Sequence, residues 1–364
     1  MDKNYDFLIA GAGISGITIA ERLASAGKKV IIVEKRNHVG GNCYDYKENG
    51  VVVQKYGPHI FHTKDKKIFQ YLSKFTKWNS YRHKVLAEHN GRLFPIPVNR
   101  GTINKFFNVN LKNEREMRAF LKTEKIKIKK IKNSKDFILA KFGKEIYRAF
   151  FESYTKKQWG LFPDELDKSV IGRLPVKYNE DPFYFNDTYQ GLPMPSYSAM
   201  FDRMLKSKNI EVRLNTDFYK VKGIIGYKKL IFTGEIDKFF NYRHGKLGYR
   251  CIDFHFQKFS ANSYQENSVI NYADSAVDFT RITEFKKFYP TQSKGTIICK
   301  EYPGWQGEPS YPVQNETNFK ILKKYLEEEK KLKNVYFLGR LARFKYLNMD
   351  RAIFEALELS ERIS

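Results

Sequence analysis

The residues Gly11-Ala-Gly-Ile-Ser-Gly16 carry the clearest chemistry in this chain of 364 residues. They follow the apolar run Tyr5 to Ala10 and precede an apolar-periodic run from Ile17 to Ala26, which Gly27 ends. A second apolar run, Val30 to Val33, closes on Glu34. This spacing predicts a βαβ unit that binds a dinucleotide. Gly11 permits the tight turn, and Gly13 lets the backbone approach a pyrophosphate. Gly16 lets the helix pack closely on the sheet, so that the helix N-terminus faces the phosphates. Glu34 is placed to accept hydrogen bonds from ribose hydroxyls. His38-Val-Gly-Gly-Asn42 comes next, and its paired glycines again permit close backbone approach to a ligand. A Gly-Gly pair just past the acid is the pattern of a large class of FAD enzymes rather than of simple NAD proteins. The expected cofactor is therefore FAD.

Other chemistries find little support. There is no G-x-S-x-G, no Cys/His pair and no H-E-x-x-H. Cys43, Cys251 and Cys299 are scattered and odd in number, which reads as isolated free thiols. His59 and His62 stand at i, i+3, yet no further ligands follow at suitable spacing, so no metal is expected. The formal charge of +25 raises the question of nucleic acid, an anionic surface or a phosphorylated substrate. Much of the excess lies in runs such as Lys122 to Lys135, which alternates Lys with Ile. That run lacks the aromatic interleaving of single-strand binders and reads as a solvated helix face, so no nucleic-acid partner is expected. The apolar runs are far too short to span a bilayer, and Met1 leads almost directly into a strand. A cytoplasmic protein with no membrane insertion is expected.

The elements that must hold these residues are legible in outline. From Lys112 to about Glu165 the pattern is helical and charged, ending in Phe150-Phe-Glu-Ser-Tyr154-Thr-Lys-Lys-Gln-Trp159-Gly. Tyr178 to Gln190 is aromatic and turn-rich. Lys229 to Thr233 reads as a strand, as do the short runs Cys251 to Phe256, Ser268 to Tyr272 and Thr296 to Lys300. Val335 to Leu338 is a further buried strand, leading into Gly339-Arg340 and a helix from about Asp350. Such a strand-Gly-helix return is how many FAD folds bring the chain back to the flavin. No repeat or low-complexity linker separates the parts, so interleaved domains are expected.

Several blocks together resemble the bacterial UDP-galactopyranose mutase family. Gly57-Pro-His59-Ile-Phe-His62-Thr63 is similar to its flavin-side histidine loop, and Phe94-Pro-Ile-Pro-Val-Asn99 and Thr102-Ile-Asn-Lys-Phe-Phe107 follow. Tyr154-Thr-Lys-Lys-Gln-Trp159-Gly160 resembles its uridine-binding segment. Arg173-Leu-Pro-Val and Tyr184-Phe-Asn-Asp-Thr-Tyr-Gln-Gly191 match the next block. Thr233-Gly-Glu-Ile-Asp237, Tyr242 to Arg250, Thr280-Arg281-Ile-Thr-Glu284, Lys300-Glu-Tyr302 and Tyr311-Pro-Val313 continue the order. Gly339-Arg-Leu-Ala and Lys345-Tyr346-Leu-Asn-Met-Asp350 close it, so the resemblance covers nearly the whole chain. It implies an α/β fold: a Rossmann-like FAD-binding domain with an inserted helical domain and an antiparallel β-sheet domain. The boundaries expected are 1–77, 191–238 and 331–364 for the first, 99–173 for the helical one, and 78–98, 174–190 and 239–330 for the sheet. It also implies a homodimer.

The same resemblance implies interconversion of UDP-galactopyranose and UDP-galactofuranose for cell-surface polysaccharide synthesis, with reduced FAD as the active form. N5 of the flavin attacks the anomeric carbon and displaces UDP. The resulting flavin-sugar adduct opens through an iminium and recloses through the other hydroxyl. No side-chain nucleophile is then required. Cofactor contacts are implied for Gly11, Gly13, Ser15, Gly16, Glu34, Lys35, Gly41, Asn42, His59, Ile60, Gly339, Arg340, Tyr346, Met349 and Asp350. Substrate contacts are implied for Phe150, Phe151, Tyr154, Thr155, Trp159, Arg173, Tyr184, Asn271, Arg281, Tyr311 and Tyr346. Phe151 and Tyr154 look like the uracil stacking pair, and Trp159 shapes that pocket. Arg173 and Arg281 match the arginines that hold the diphosphate, a task suited to a planar, permanently charged fork. With His59 and Asn348 they form the implied catalytic set.

Two blocks depart from the family pattern. Asn348 stands where the family usually has Asp, and Pro195-Ser196-Tyr197-Ser198 replaces a Gly-rich turn. Both departures bear on the sugar and the nucleotide more than on the reaction. The alternative is the same ring contraction on UDP-N-acetylgalactosamine or a GDP-heptose-like sugar. A more distant one is an FAD-dependent amine oxidase or desaturase, against which stand Arg173, Arg281 and the Tyr154 to Gly160 segment. A non-catalytic basic binding protein is the third, and a purified protein carrying yellow flavin counts against it.

Overall fold

The computed structural model describes residues 4–172 and 176–364. Its two main sheets are built from β1 (Tyr5–Ala10), β2 (Val30–Val33), β3 (Val85–His89), β4 (Arg92–Ile96), β5 (Ile210–Arg213), β6 (Tyr227–Phe232), β7 (Tyr249–Phe259), β8 (Val269–Tyr272), β9 (Arg281–Glu284), β10 (Thr296–Gly304), β11 (Pro309–Pro312) and β12 (Val335–Phe337). The first sheet is parallel, in the order β5-β2-β1-β6-β12. Its central strands are apolar on both faces, as a parallel sheet covered on both sides requires. Phe7, Ile9, Val30 and Ile32 pack on one side, and Leu8, Ala10, Ile31 and Val33 on the other. Helix α1 (Ile14–Ser25) begins three residues before the expected Ile17, because Gly13 is its N-cap.

The second sheet has seven strands, in the order β11-β7-β10-β9-β8-β3-β4. All its neighbours are antiparallel except β8 and β3, which run parallel with Ile270 beside Leu86. In the β8–β9 hairpin the last paired residues are Asn271 and Arg281. Register alone therefore sets these two side by side on one face.

A helical layer packs beside this sheet: α2 (Arg100–Phe107), α3 (Glu114–Glu124), α4 (Ser134–Ile146) and α5 (Ser153–Trp159). Asparagine starts three of the four. The side chains of Asn99, Asn113 and Asn133 accept from the amides of Thr102, Glu116 and Asp136 at 2.8, 3.0 and 2.8 Å. Helix α4 breaks at Gly143, whose φ is +82°; glycine is required there, since a Cβ would lie 2.2 Å from the Glu124 carbonyl oxygen. Tyr147–Glu152 then forms a wide i→i+5 turn leading into α5. Turns of this kind concentrate at functional sites.

The lysine run departs from expectation. Lys122 to Lys135 is not one helix face: α3 ends at Glu124, the following residues are irregular, and α4 starts at Ser134. Alternation of Lys and Ile has a period of two, which no helix face can follow. At Pro195 to Ser198, the Ser196 hydroxyl caps the helix Tyr197–Met204, and buried Asp45 accepts from the Tyr197 and Ser198 amides. Among the described residues, no helix is long and apolar enough to cross a membrane. The chain ends in α6 (Met349–Ile363), which packs against α1.

Candidate active site

A cleft of about 250 Å³ opens at the C-terminal ends of β1, β2, β6 and β12. This is the position where parallel sheets bind dinucleotides. Gly11 has φ +108°, and a Cβ on it would meet the Thr233 hydroxyl at 2.1 Å. A Cβ on Gly16 would lie 2.1 Å from the Gly11 carbonyl oxygen. At Gly13, by contrast, a Cβ would meet nothing within 4 Å. Gly11 and Gly16 are demanded by the protein's own packing, whereas Gly13 leaves open space on the cleft. No side chain caps α1, so its first amides remain available to an anion. The Gly-Gly pair has a packing role too. Gly41 has φ +56°, and its Cβ would sit 2.8 Å from the Cα of Gly13.

Glu34 is 6% exposed, and its carboxylate is engaged by the backbone. One oxygen accepts from the Ala12 amide at 2.7 Å and the other from the Arg36 amide at 2.9 Å. It thus braces the glycine loop while still lining the cleft. Gly11, Gly13, Ser15, Gly16, Glu34, Lys35, Gly41, Asn42, His59, Gly339, Arg340, Asn348 and Met349 all line this cleft. Three expected cofactor residues do not. Ile60 is buried in the core, and Tyr346 lines a second cavity. The Asp350 carboxylate accepts from the Arg351 amide.

Arg36 also lines the cleft, although nothing in the motif reading selected it. Its guanidinium stacks 4.2 Å over Tyr56 and donates to the Asn42 side chain and to Glu308. Its only sequence signal is its place directly after the acid that ends β2.

The second cavity, of about 110 Å³, gathers side chains from parts of the chain far apart in sequence. The wide turn supplies Phe150 and Phe151, and α5 supplies Tyr154, Thr155, Gln158 and Trp159. The spacing i, i+1, i+4, i+5 puts these four on one helix face. The β8–β9 hairpin supplies Asn271 and Arg281; Tyr184, Tyr311 and Tyr346 complete the wall. Every expected substrate residue lines this one cavity except Arg173, which lies outside the described residues. Gln158, Ala87 and Ile96 line it as well and were not foreseen.

Among the described residues, Arg281 is the one charged side chain that lines the second cavity. It donates to Asn271 at 3.2 Å and to the Tyr154 hydroxyl at 3.3 Å, and pairs with Glu301 at 3.6 Å. Burial works against its charge, but Glu301, Tyr154 and Tyr311 hold the guanidinium protonated. Burial also pushes the Glu301 carboxyl up, with Arg281 pulling it back. Tyr311 and Tyr346 stack at 5.6 Å and 8°, with Trp159 against the edge of Tyr311 at 6.1 Å. Burial, and Tyr346 beside it, push the Tyr311 phenol up to about 12, so it is a hydrogen-bond donor at neutral pH.

Arg340 joins the two spaces. It lines the larger cleft and lies 5.2 Å over Tyr311 and 5.1 Å over Tyr346. Its guanidinium donates to the Leu347 and Ser310 carbonyls at 2.8 and 3.3 Å. His59 lines the cleft near this junction, and its Nδ1–H donates to the Gly57 carbonyl of its own loop at 3.0 Å. Burial pulls the imidazole down to about 4, helped by Arg340 and Arg281, so it is neutral at pH 7. Cys43 lines the cleft but is no nucleophile, because burial pushes its thiol up to about 12. The arrangement is thus a dinucleotide cleft opening beside a small aromatic cavity with a buried arginine.

Comparison with known proteins agrees with this geometry. Residues 149–346 match the family model for UDP-galactopyranose mutase, and residues 9–75 match that of an NAD(P)-binding Rossmann-like domain. A probable UDP-galactopyranose mutase of Klebsiella pneumoniae is 39% identical, over 99% of this chain and 94% of its own length. A dTDP-fucopyranose mutase of Escherichia coli is 36% identical, over 97% of both chains. A crystal structure of reduced UDP-galactopyranose mutase superposes with TM-score 0.79 at 15% identity, over 99% of this chain and 94% of that one, which shows the shared fold. The family model spans the turn, helix, hairpin and tyrosines that wall the second cavity, and the full-length relatives add the glycine cleft: the chain belongs to the UDP-galactopyranose mutase family of FAD-dependent isomerases.

Proposed function

We propose that this protein interconverts UDP-galactopyranose and UDP-galactofuranose in the cytoplasm, as a homodimer, to supply furanose units for cell-surface polysaccharide. The observation that carries this reading is the junction at Arg340, where the glycine cleft meets the arginine-bearing aromatic cavity. FAD fits the cleft through the uncapped amides of α1 and the open face of Gly13. In its reduced form FAD supplies the nucleophile for the anomeric carbon. The chain's own residues bind, orient and neutralise. Tyr154 and Phe151 enclose the base, and Arg281 offsets the diphosphate charge as UDP leaves and returns. The Tyr311 phenol would donate to phosphate oxygens, and neutral His59, which lines the cleft, would add no charge beside a bound flavin. Arg173, outside the described residues, is proposed as the second diphosphate arginine.

The test is turnover by dithionite-reduced protein, followed by chromatographic separation of the two ring forms. Conversion by the reduced protein and none by the oxidised protein is expected; no conversion of any nucleotide sugar by the reduced protein would sink the reading. A second substrate, dTDP-fucopyranose, is favoured by the 36% identical Escherichia coli relative of that name. A panel of UDP-, GDP- and dTDP-sugars separates these readings. Light scattering at twice the chain mass tests the homodimer.

A further inference from the structure

Helix α5 carries two adjacent lysines with different surroundings. Lys156 is exposed; its ammonium donates to the Gly160 carbonyl at 3.3 Å and lies 4.3 Å over the Phe162 ring. Lys157 is half-buried, and its ammonium lies within a ring of four main-chain carbonyls: Tyr272 at 2.8 Å, Asp274 at 2.5 Å, Val277 at 3.0 Å and Phe279 at 3.1 Å. Tyr272 ends β8 and the other three lie in its connection to β9, immediately beyond the Asn271–Arg281 pair. An ammonium has three protons and no lone pair, so it serves the four carbonyls with one proton shared between two of them, whereas a neutral amine would turn a lone pair toward oxygen. The carbonyl of Lys157 itself accepts from Arg250 at 2.9 Å, and that of Gln158 does so at 3.0 Å. A further bond ties the same two parts, from the Thr280 hydroxyl to the Gln158 side chain at 3.3 Å.

We infer that Lys157 is a positioning residue for the substrate cavity: its ammonium fills the β8–β9 connection as a bound cation would, and so fixes Asn271 and Arg281 relative to Tyr154 and Trp159. The inference rests on the reading that this cavity takes the nucleotide sugar. Lys157 is absent from the cavity wall, so it acts only through the elements it joins. Without it the connection would lose its interior partner, and the Arg281–Tyr154 contact across the cavity would lose its register. Burial draws the ammonium down to about 8, opposed by Asp274, Asp278 and Glu88, which agrees with a charge held inside the fold rather than at its surface.

The experiment compares Lys157→Ala with Lys156→Ala in the flavin-loaded protein. For Lys157→Ala, KM and the Kd of UDP are expected to rise about tenfold to a hundredfold, the range for lost hydrogen bonds to a charged group. The kcat should fall as well, because Arg281 acts as UDP leaves and returns, while the flavin content should stay near wild type and Lys156→Ala should match wild type throughout. Amide exchange across residues 272–280 should quicken in Lys157→Ala without any ligand. Ethylammonium should restore part of the UDP affinity, and tetramethylammonium, which cannot donate, none. An unchanged KM and Kd, or slow exchange retained in the connection, overturns the inference. Failure of the variant to fold or to keep flavin also overturns it, since Lys157 would then serve the fold as a whole. If wild type itself binds no UDP, the functional reading falls, while the exchange measurement still decides whether Lys157 holds the connection.

Discussion

Arg281 and Glu301 form a pair in which each partner depends on the other. Glu301 is 2% exposed, and among the described residues one of its oxygens has no hydrogen-bond partner. Arg281→Ala is expected to lower kcat/KM at least a hundredfold, about 3 kcal/mol of lost charge stabilisation. It also strands the Glu301 carboxylate, so the melting temperature should fall. Arg281→Lys keeps the charge but loses the fork, and should recover stability better than activity. Steady-state rates with reduced enzyme, beside thermal melts, check both halves. His83 offers a pH prediction. It is 6% exposed, and burial, with Arg281 and His62 nearby, pulls it down to about 3. Below its ordinary pKa the unfolded chain binds a proton that the folded protein refuses. Its contribution is therefore present above about pH 6.5 and lost as the pH falls, by up to about 1.4 kcal/mol per unit. Denaturant titrations at several pH values should show a shallower acid slope for His83→Asn, and equal slopes would refute the assignment. His59, pulled down to about 4, adds a similar slope that the variant keeps.

At the scale of elements, the three glycines of the first turn separate by what each one meets. Gly16→Ala drives a methyl group into the Gly11 carbonyl, so it should lower the melting temperature of the apoprotein and abolish flavin binding. Gly13→Ala meets no protein atom, so the apoprotein should melt as wild type while FAD binds at least tenfold more weakly. Melts with and without FAD, and flavin fluorescence, distinguish the two. Asn348 is the N-cap of α6, is exposed, and makes no side-chain cap bond. Asn348→Asp sets a carboxylate at a helix N-terminus and should add about 0.5–1 kcal/mol of stability. Because Asn348 also lines the cofactor cleft, the same change should reorder preference among nucleotide sugars. An unchanged ranking in the sugar panel would leave Asn348 with the capping role alone.

Across the whole molecule, the cofactor cleft closes only when the two ends of the chain meet. Gly11 to Gly16 lie against Gly339, Arg340 and Met349, and α1 packs on α6. Adding FAD to apoprotein should slow amide exchange at residues 11–16 and 339–352 together; protection of one segment without the other would count against a single shared site. Much of this was legible in the chain itself. The period of β1, α1 and β2 is local, and a glycine that must turn sharply is recognisable from its neighbours. The Tyr154 to Trp159 spacing likewise places one helix face before any fold is known. Tertiary structure decided what depends on contacts distant in sequence. Glu34 braces the Ala12 amide because β2 lies beside β1 in one register. Tyr346 belongs to the second cavity, not the cleft, because it stacks on Tyr311 from another sheet. Asn271 meets Arg281 by hairpin register, and Lys157 finds its four carbonyls only once that hairpin is closed over α5. Periodicity and spacing report the chain's own neighbours; which side chain faces which across a sheet is set by register and packing, and no local pattern carries that information.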